Sequence, residues 1–439
     1  MTLVLGSRGW EIRSKKALNE KLLHCIWRHL HYDTAGLSTF DGKPLEVVQA
    51  GNPNDDQGPD FKDARIRIGD TLWIGHVELH VKTSDWHRHG HDADPNYANV
   101  VLHVVWEHDA TTVSGLPVLE LRDRVPLQRL KRMAHWIQGL SSVPCEQEML
   151  AHRVCPSEGF LEKLVIERLS RKTERILSNL ASARGHWEEV FWWQMARNFG
   201  YRVNADAFEE MARSVSVRIL QQNKHSIHML EALLLGQCRL LEGPHTDAYG
   251  RMLSGEYAFA RRKYGLNPIS LPVLFLRMRP MNFPTVRLAQ LAMLIRESSR
   301  LFSRFRHART VEEARTLLKV TANDFWHRHY GLDKPSHFQP KTLGSSMADN
   351  ILVNTVIPFL YANATHTGES SLREKALRWL RGTSGEANRA IRVFLLDGRL
   401  PGNAHHSQGL LELRTQYCER RRCLECDVCG ILLARHGGV

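Results

Sequence analysis

Two carboxylates and a histidine, Asp60, Glu78 and His80, are spaced so that strand geometry can gather them around one metal ion. Asp60 closes the turn Gly58-Pro59-Asp60-Phe61, and eighteen residues on comes Val77-Glu78-Leu79-His80-Val81-Lys82. Side chains two apart on a strand point to the same face. Glu78, His80 and Lys82 therefore line one side, and Val77, Leu79 and Val81 the other. With the preceding strand paired antiparallel through the turn signal Gly69-Asp70, Asp60 comes alongside Glu78. Converging carboxylates make a hard oxygen site for Mg²⁺ or Mn²⁺. Such an ion lowers the pKa of bound water and neutralises charge on a phosphate. The plainer alternative is that Asp60 caps a turn and Glu78 is a solvated or salt-bridged strand residue.

Histidine is abundant, with 24 in the chain, and seven of them fall between His76 and His108. His87, His89 and His91 alternate just after the Glu78 strand. Imidazole nitrogens suit transition metals, so a second metal site is open here. The expectation is that one or two of His89, His91 and His103 touch the active site; the alternative is a polar loop of surface histidines. Trp86 and Tyr97 can stack on a base, although packing is the simpler role for Trp86.

A third constellation closes the chain: Cys418-x4-Cys423-x2-Cys426-x2-Cys429, with Cys25, Cys145, Cys155 and Cys238 scattered elsewhere. Soft thiolates select Zn²⁺ or an iron–sulfur cluster. The two-residue gaps match the C-x2-C-x2-C run of clusters, whereas a zinc ribbon separates its pairs by a longer loop. Both a [4Fe–4S] cluster and Zn²⁺ stay open, and the bland reading is reduced thiols on a tail. Arg420, Arg421 and Arg422 add positive charge beside the cysteines.

These groups need elements to hold them. Leu18, Leu22, Ile26 and Leu30 recur at helical spacing within residues 17–32. Strand patterns follow at 44–50, 64–68, 72–81, 100–106 and 116–121. The near-continuous apolar run at 100–106 predicts a strand buried on both faces, hence a sheet covered by helices. From residue 160 the periodicity is helical, at 160–180, 187–198, 206–222, 226–241, 286–302, 311–320 and 370–379. Pro144 and Pro156 interrupt it near 141–157. The expected organisation is an α/β domain over 1–145, an all-α domain over 146–411 and a cysteine-rich metal-binding segment over 412–439. No P-loop, no GxGxxG after a strand and no GxSxG is present, which leaves nucleotide-driven work and serine hydrolysis without support.

The Pro59-Asp60 and Glu78-Leu79-His80 pair resembles the PD-(D/E)xK nuclease core, in which a proline–aspartate on one strand and an acidic-x-lysine on the next surround the metal. Histidine stands here where that pattern has lysine. The resemblance implies a restriction-endonuclease-like mixed sheet flanked by helices, phosphodiester hydrolysis, and a further acidic residue on the helix, for which Glu20 is the candidate. Some nucleases of this core also carry a cysteine-held [4Fe–4S] cluster, so the resemblance is compatible with the tail. A second similarity, through GPDF, GHVELHVKTSDW, HGH, ANVVLHVVWEHD and the terminal YC-x4-CLEC, is to an uncharacterised bacterial family of unknown function. It implies one architecture and no activity.

The net charge of +12 favours a polyanionic partner such as DNA or RNA, although many basic proteins have none. No stretch approaches the ~20 apolar residues that span a bilayer, and residues 1–16 lack a signal-peptide core. A cytoplasmic location without membrane contact is expected. The expected function is metal-dependent nuclease action, with Asp60 and Glu78 holding the ion and His80 or Lys82 handling the water. Two rivals remain. One is a non-nucleolytic metal hydrolase built on the histidines; the other is a nucleic-acid-binding protein on a decayed nuclease core.

Overall fold

Alternation along residues 61–82 produces a hairpin, and that hairpin is the centre of the site-bearing sheet. The computed structural model describes residues 20–54, 58–109, 115–138, 141–275, 278–298, 300–386, 388–395 and 401–435. The readings of the N-terminal 16 residues and of the first residues of the opening helix lie outside the described residues. Two compact units form: residues 1–160, 390–398 and 411–439 in the first, and 161–389 and 399–410 in the second.

The first unit opens with helix α1 (Glu20–Arg28), whose Leu22, Leu23, Cys25, Ile26 and Trp27 are buried. Strands β1 (Leu45–Gln49), β2 (Asn52–Pro53), β3 (Phe61–Ile68) and β4 (Thr71–Lys82) follow. After the short helix α2 (Asp85–Arg88) come β5 (Val100–Glu107) and β6 (Val118–Glu120). The sheet order is β1-β3-β4-β5-β6, with β2 pairing with β3 at its start. β1, β3 and β4 run antiparallel, whereas β4/β5 and β5/β6 are parallel. A mixed sheet with helices is thus the observed class, and α1 packs against β4. Val77, Leu79, Leu102 and Val104 are at most 1% exposed on one face, and Glu78, His80 and His103 are at most 5% exposed on the other. Both faces are covered, as the apolar run at 100–106 predicted.

Helices α3 (Leu127–Gln138) and α4 (Glu146–Ala151) belong to this unit, and so does the cysteine segment. The tail helix Asp427–Ala434 packs on α4, and the turn Cys423–Glu425 packs on α1 and α3.

The second unit is helical, from within α5 (Glu158–Ser182) onward. Helices Ile227–Gln237, Pro284–Glu297 and Ile357–Thr367 are buried over most of their length and form its centre. Two expected single helices are each split. Residues 206–222 form Ala205–Ser214 and Val217–Asn223, because Val215 is extended and the Ser216 side chain caps the second helix through Ile219 N–H. Residues 286–302 likewise divide into Pro284–Glu297 and Leu301–His307. Among the described residues no helix is long and apolar enough to cross a membrane.

Candidate metal centre

The placement of Asp60 depends on a bulge that periodicity does not reveal. From the Gly69 turn the pairs run Ile68↔Thr71 to Ala64↔Gly75, and continued strictly they would set Asp60 against Leu79. The register instead shifts between Phe61 and Ala64, so that Phe61 faces Val77 and Asp60 falls beside Glu78. Asp63 takes the left-handed conformation at φ 58° inside this bulge. A one-residue slip exchanges the two faces of a strand, and a bulge is a standard way to re-aim a side chain beside a site. Gly58, at φ 106°, makes the preceding corner in a region closed to side chains.

Asp60 and Glu78 then hold each other through the backbone. The Asp60 N–H donates to Glu78 Oε2 at 3.1 Å, and the Leu79 N–H donates to Asp60 Oδ2 at 2.9 Å. His24 from α1 places its Nε2 3.2 Å from the same Asp60 oxygen. His24 was not singled out from the sequence; it lies one helical turn after Glu20, on the same face.

The histidine segment folds back over Glu78. Gly90 turns at φ 77° between α2 and the single turn His91–Ala93, which returns His89 and His91 to the strand. The His80 Nε2 lies 3.1 Å from His89 Nδ1 and 3.7 Å from Glu78 Oε1. His91 Nε2 lies 3.3 Å from that same carboxylate oxygen. One nitrogen each from His80, His89 and His91 falls within 4.8 Å of the others, with Glu78 against the group. Behind it, His103 Nε2 is hydrogen-bonded to His80 Nδ1 at 2.9 Å. Both ring nitrogens of His80 are thus engaged, which suits a ligand better than a free base.

Packing fixes the rings. Tyr97 stacks on His91 with centroids 3.9 Å apart, and Trp86 meets His91 and His103, each at 5.1–5.3 Å. The Trp86 indole N–H donates to Asp92, and the exposed His87 also pairs with Asp92, outside the group. Lys82 lies on the Glu78 face but turns its ammonium 3.3 Å from Asp109, away from the centre. A cavity of about 410 Å³ opens beside His91, lined among others by Trp86, Tyr97, Asp92 and Asp94.

The electrostatics follow from burial. Glu78 is pushed up to about 8, first by desolvation and then by the Asp60 and Glu20 carboxylates. His80 and His103 are each pushed down to about 3, mainly by burial and secondarily by neighbouring imidazoles. His91 is lowered for the same reasons. Neutral imidazoles present lone pairs at neutral pH, and a carboxyl that resists ionising among them is a place where a cation would restore balance.

In the tail, Cys418, Cys423, Cys426 and Cys429 are all buried. Neighbouring thiols and burial hold the Cys429 thiol well above its ordinary range, and burial raises that of Cys418. Among the described residues, His80, His89 and His91 are the one group whose donor atoms all lie within 4.8 Å of one another, and the tail cysteines form no such group.

A family model described as "Protein of unknown function (DUF2851)" matches residues 20–389, a span that holds the whole histidine–carboxylate centre and stops short of the tail cysteines. Neither the curated proteins nor the solved structures contain a match to the chain.

Proposed function

For this chain, which belongs to the DUF2851 family of proteins of unknown function, we propose metal-dependent hydrolysis of nucleic-acid phosphodiester bonds at Glu78, His80, His89 and His91, with Asp60 alongside. The observation that carries the metal is the meeting of Glu78 Oε1 with His91 Nε2 at 3.3 Å and His80 Nε2 at 3.7 Å, within the three-imidazole group. Magnesium prefers oxygen ligands and keeps its waters, so of the two ions expected Mn²⁺ suits this nitrogen-rich set better. A divalent ion there would polarise a phosphoryl oxygen and supply an activated water. His103 fixes the His80 ring through its second nitrogen, the usual task of an outer partner. Leu79 N–H and His24 hold the Asp60 carboxylate toward the same side.

Support for the nuclease type comes from chain order. A helix, three antiparallel strands (β1, β3 and β4), a short crossover and a parallel β5 are the succession expected of a PD-(D/E)xK core. The proline–aspartate stands at the start of β3 and the glutamate on β4. The net charge of +12 favours a polyanionic substrate, DNA or RNA. The tail is proposed to hold a [4Fe–4S] cluster or Zn²⁺ on its cysteines, and a thiolate centre of either kind supports a reducing, cytoplasmic setting.

One observation favours a second reading, a non-nucleolytic metal hydrolase: the cavity beside His91 carries Asp92 and Asp94, charges that repel phosphate. Metal analysis followed by cleavage assays on single- and double-stranded DNA and RNA separates the two. The nuclease reading expects Mn²⁺-stimulated cutting, lost in Glu78→Gln and His91→Asn, with binding that survives and weakens steeply with salt. A tightly bound metal with no salt-sensitive nucleic-acid binding would transfer the site to the second reading.

A further inference from the structure

Two positive charges are buried in the helical unit without a negative partner. Arg287, the fourth residue of the helix Pro284–Glu297, is 6% exposed, and Lys341 is fully buried. Arg287 donates through Nη1 to Gln290 Oε1 at 2.9 Å and through Nη2 to Asn282 Oδ1, while its Nε has no hydrogen-bond partner. Lys341 donates its ammonium to the Gln339 carbonyl at 3.1 Å and lies 3.8 Å over the Tyr330 ring. These partners are neutral, and among the described residues no carboxylate pairs with either cation. Lysine and arginine are almost never fully buried unless paired, and a buried charge left uncompensated is costly.

The two cations belong to one network at the start of that helix. Gln290, which accepts from Arg287, donates through Nε2 to the Lys341 carbonyl at 3.0 Å. Tyr330, under the Lys341 ammonium, accepts through its own carbonyl from Thr285 Oγ1 in the first helical turn. That turn is uncapped: Phe283 at the N-cap supplies no side-chain oxygen, and Pro284 supplies no N–H. Arg287 reaches back to Asn282, which precedes the helix, so its guanidinium lies at the helix N-terminus with Nε unspent. The helix dipole is already positive there, and a further cation is unfavourable unless an anion joins it. The rim is open to solvent. The Tyr201 ring, centred 5.4 Å from the guanidinium carbon, is exposed, as is Gln339, and Asn282 and Tyr330 are half-buried.

We propose that Arg287, Lys341 and the N-terminus of the helix Pro284–Glu297 bind a terminal phosphate group. A phosphomonoester carries about −1.5 to −2 charge at neutral pH and three acceptor oxygens, which balances two cations where a carboxylate or a phosphodiester balances one. The guanidinium fork matches its oxygens through charge-assisted bonds, and a helix N-terminus adds backbone N–H donors. The surroundings draw such a ligand in: 35 of the 59 Lys and Arg but 21 of the 47 Asp and Glu fall in the helical unit. The site lies wholly within that unit and is independent of what the histidine centre does.

The test is thermal unfolding and calorimetric titration of the full chain with inorganic phosphate, in chelator so that no bound metal takes up the anion. Against chloride at equal ionic strength, phosphate should raise the midpoint saturably, by at least ~5 °C at a hundredfold excess over its Kd. Arg287→Gln should weaken phosphate at least tenfold. Lys341→Met, which removes an unpaired buried charge at similar volume, should be as stable as the parent or more so in phosphate-free buffer, with the phosphate response lost. Competition by a 5′-phosphorylated oligonucleotide, and not by its unphosphorylated twin, identifies a nucleic-acid end as the source of the phosphate; competition by neither identifies a small phosphate compound. Equal competition by both makes the ligand a phosphodiester and overturns the terminal-phosphate assignment. An unsaturable response in the parent, or a saturable one that either variant retains in full, overturns the site. So does a Lys341→Met chain that is markedly less stable than the parent without phosphate, since its cation was then already compensated.

Discussion

Removing metal from the histidine centre should leave a protein whose stability peaks near pH 6.5, and the peak can be worked from three side chains. Glu78 is pushed up to about 8 from an ordinary 4.5, so the folded state holds a proton there that the unfolded state lacks. Its contribution therefore grows as pH falls from about 8 to 4.5, by about 1.4 kcal/mol per unit. His80 and His103 are pushed down to about 3 from 6.5, so the unfolded state takes up their protons first. Their contribution is complete above 6.5 and is lost as pH falls toward 3, together by about 2.7 kcal/mol per unit. Between pH 8 and 6.5 only the glutamate acts, and the apo protein gains about 2 kcal/mol. From 6.5 to 4.5 the histidines outweigh it, and about 3 kcal/mol is lost. A bound cation holds Glu78 ionised, so the rise from pH 8 to 6.5 should vanish in the metal-loaded protein. Urea unfolding of apo protein, metal-loaded protein and apo Glu78→Gln across pH 5–9 reads all three curves. Identical profiles for apo wild type and Glu78→Gln between pH 8 and 6.5 would refute this account of the buried carboxyl.

Three further outcomes are expected. His103→Phe, which keeps the ring volume but removes the partner of His80 Nδ1, should weaken metal binding by about 10–100-fold in a competition titration, while His87→Phe should not. Glu231, fully buried in the helical unit, accepts from Tyr249 at 2.6 Å and from Asn323, and burial pushes it up to about 7. Its folded form must ionise at a penalty above that pH, so Glu231→Gln should stabilise by about 3 kcal/mol at pH 8 in chemical denaturation and by nothing below pH 4.5. Asp63→Gly relieves the left-handed residue of the bulge at φ 58° and should raise stability by about 0.5–1 kcal/mol without moving the metal affinity; a fall in affinity would mean that the Asp63 side chain itself serves the site.

Strand alternation was enough to place Glu78 and His80 on one face, and the buried run at 100–106 was enough to require a covered sheet. Hydrophobic period is a local signal, and both conclusions are local. The convergence of His89 and His91 was open to the sequence only as a spacing, because it depends on Gly90 reversing the chain after α2. The Ser216 cap that splits the helix expected over 206–222 was present in the residues but outweighed by continuous apolar spacing.

Asp60 shows why the site needed more than pattern. Strict pairing from the Gly69 turn would have set it against Leu79, on the face opposite Glu78, and the extra residue at 62–63 restores it. The substitution of histidine for the lysine of the resembled pattern then has a coherent consequence. A lysine at position 80 would bring a buried positive charge beside Glu78 and could coordinate only after losing its proton. Histidine at that position is neutral when buried, offers one nitrogen toward Glu78 and His89, and fixes the other on His103. If position 80 serves as a ligand, as proposed, an ion there would not depend on carboxylates alone. The loop that delivers His89 and His91 adds two more nitrogens, a set that would favour manganese and its softer neighbours over magnesium. On the proposed reading, histidine at position 80 and the histidine loop act together: His80→Lys on its own should not give magnesium-activated cleavage, because two imidazoles would still face the ion, and a magnesium-activated His80→Lys variant would show the loop to be incidental.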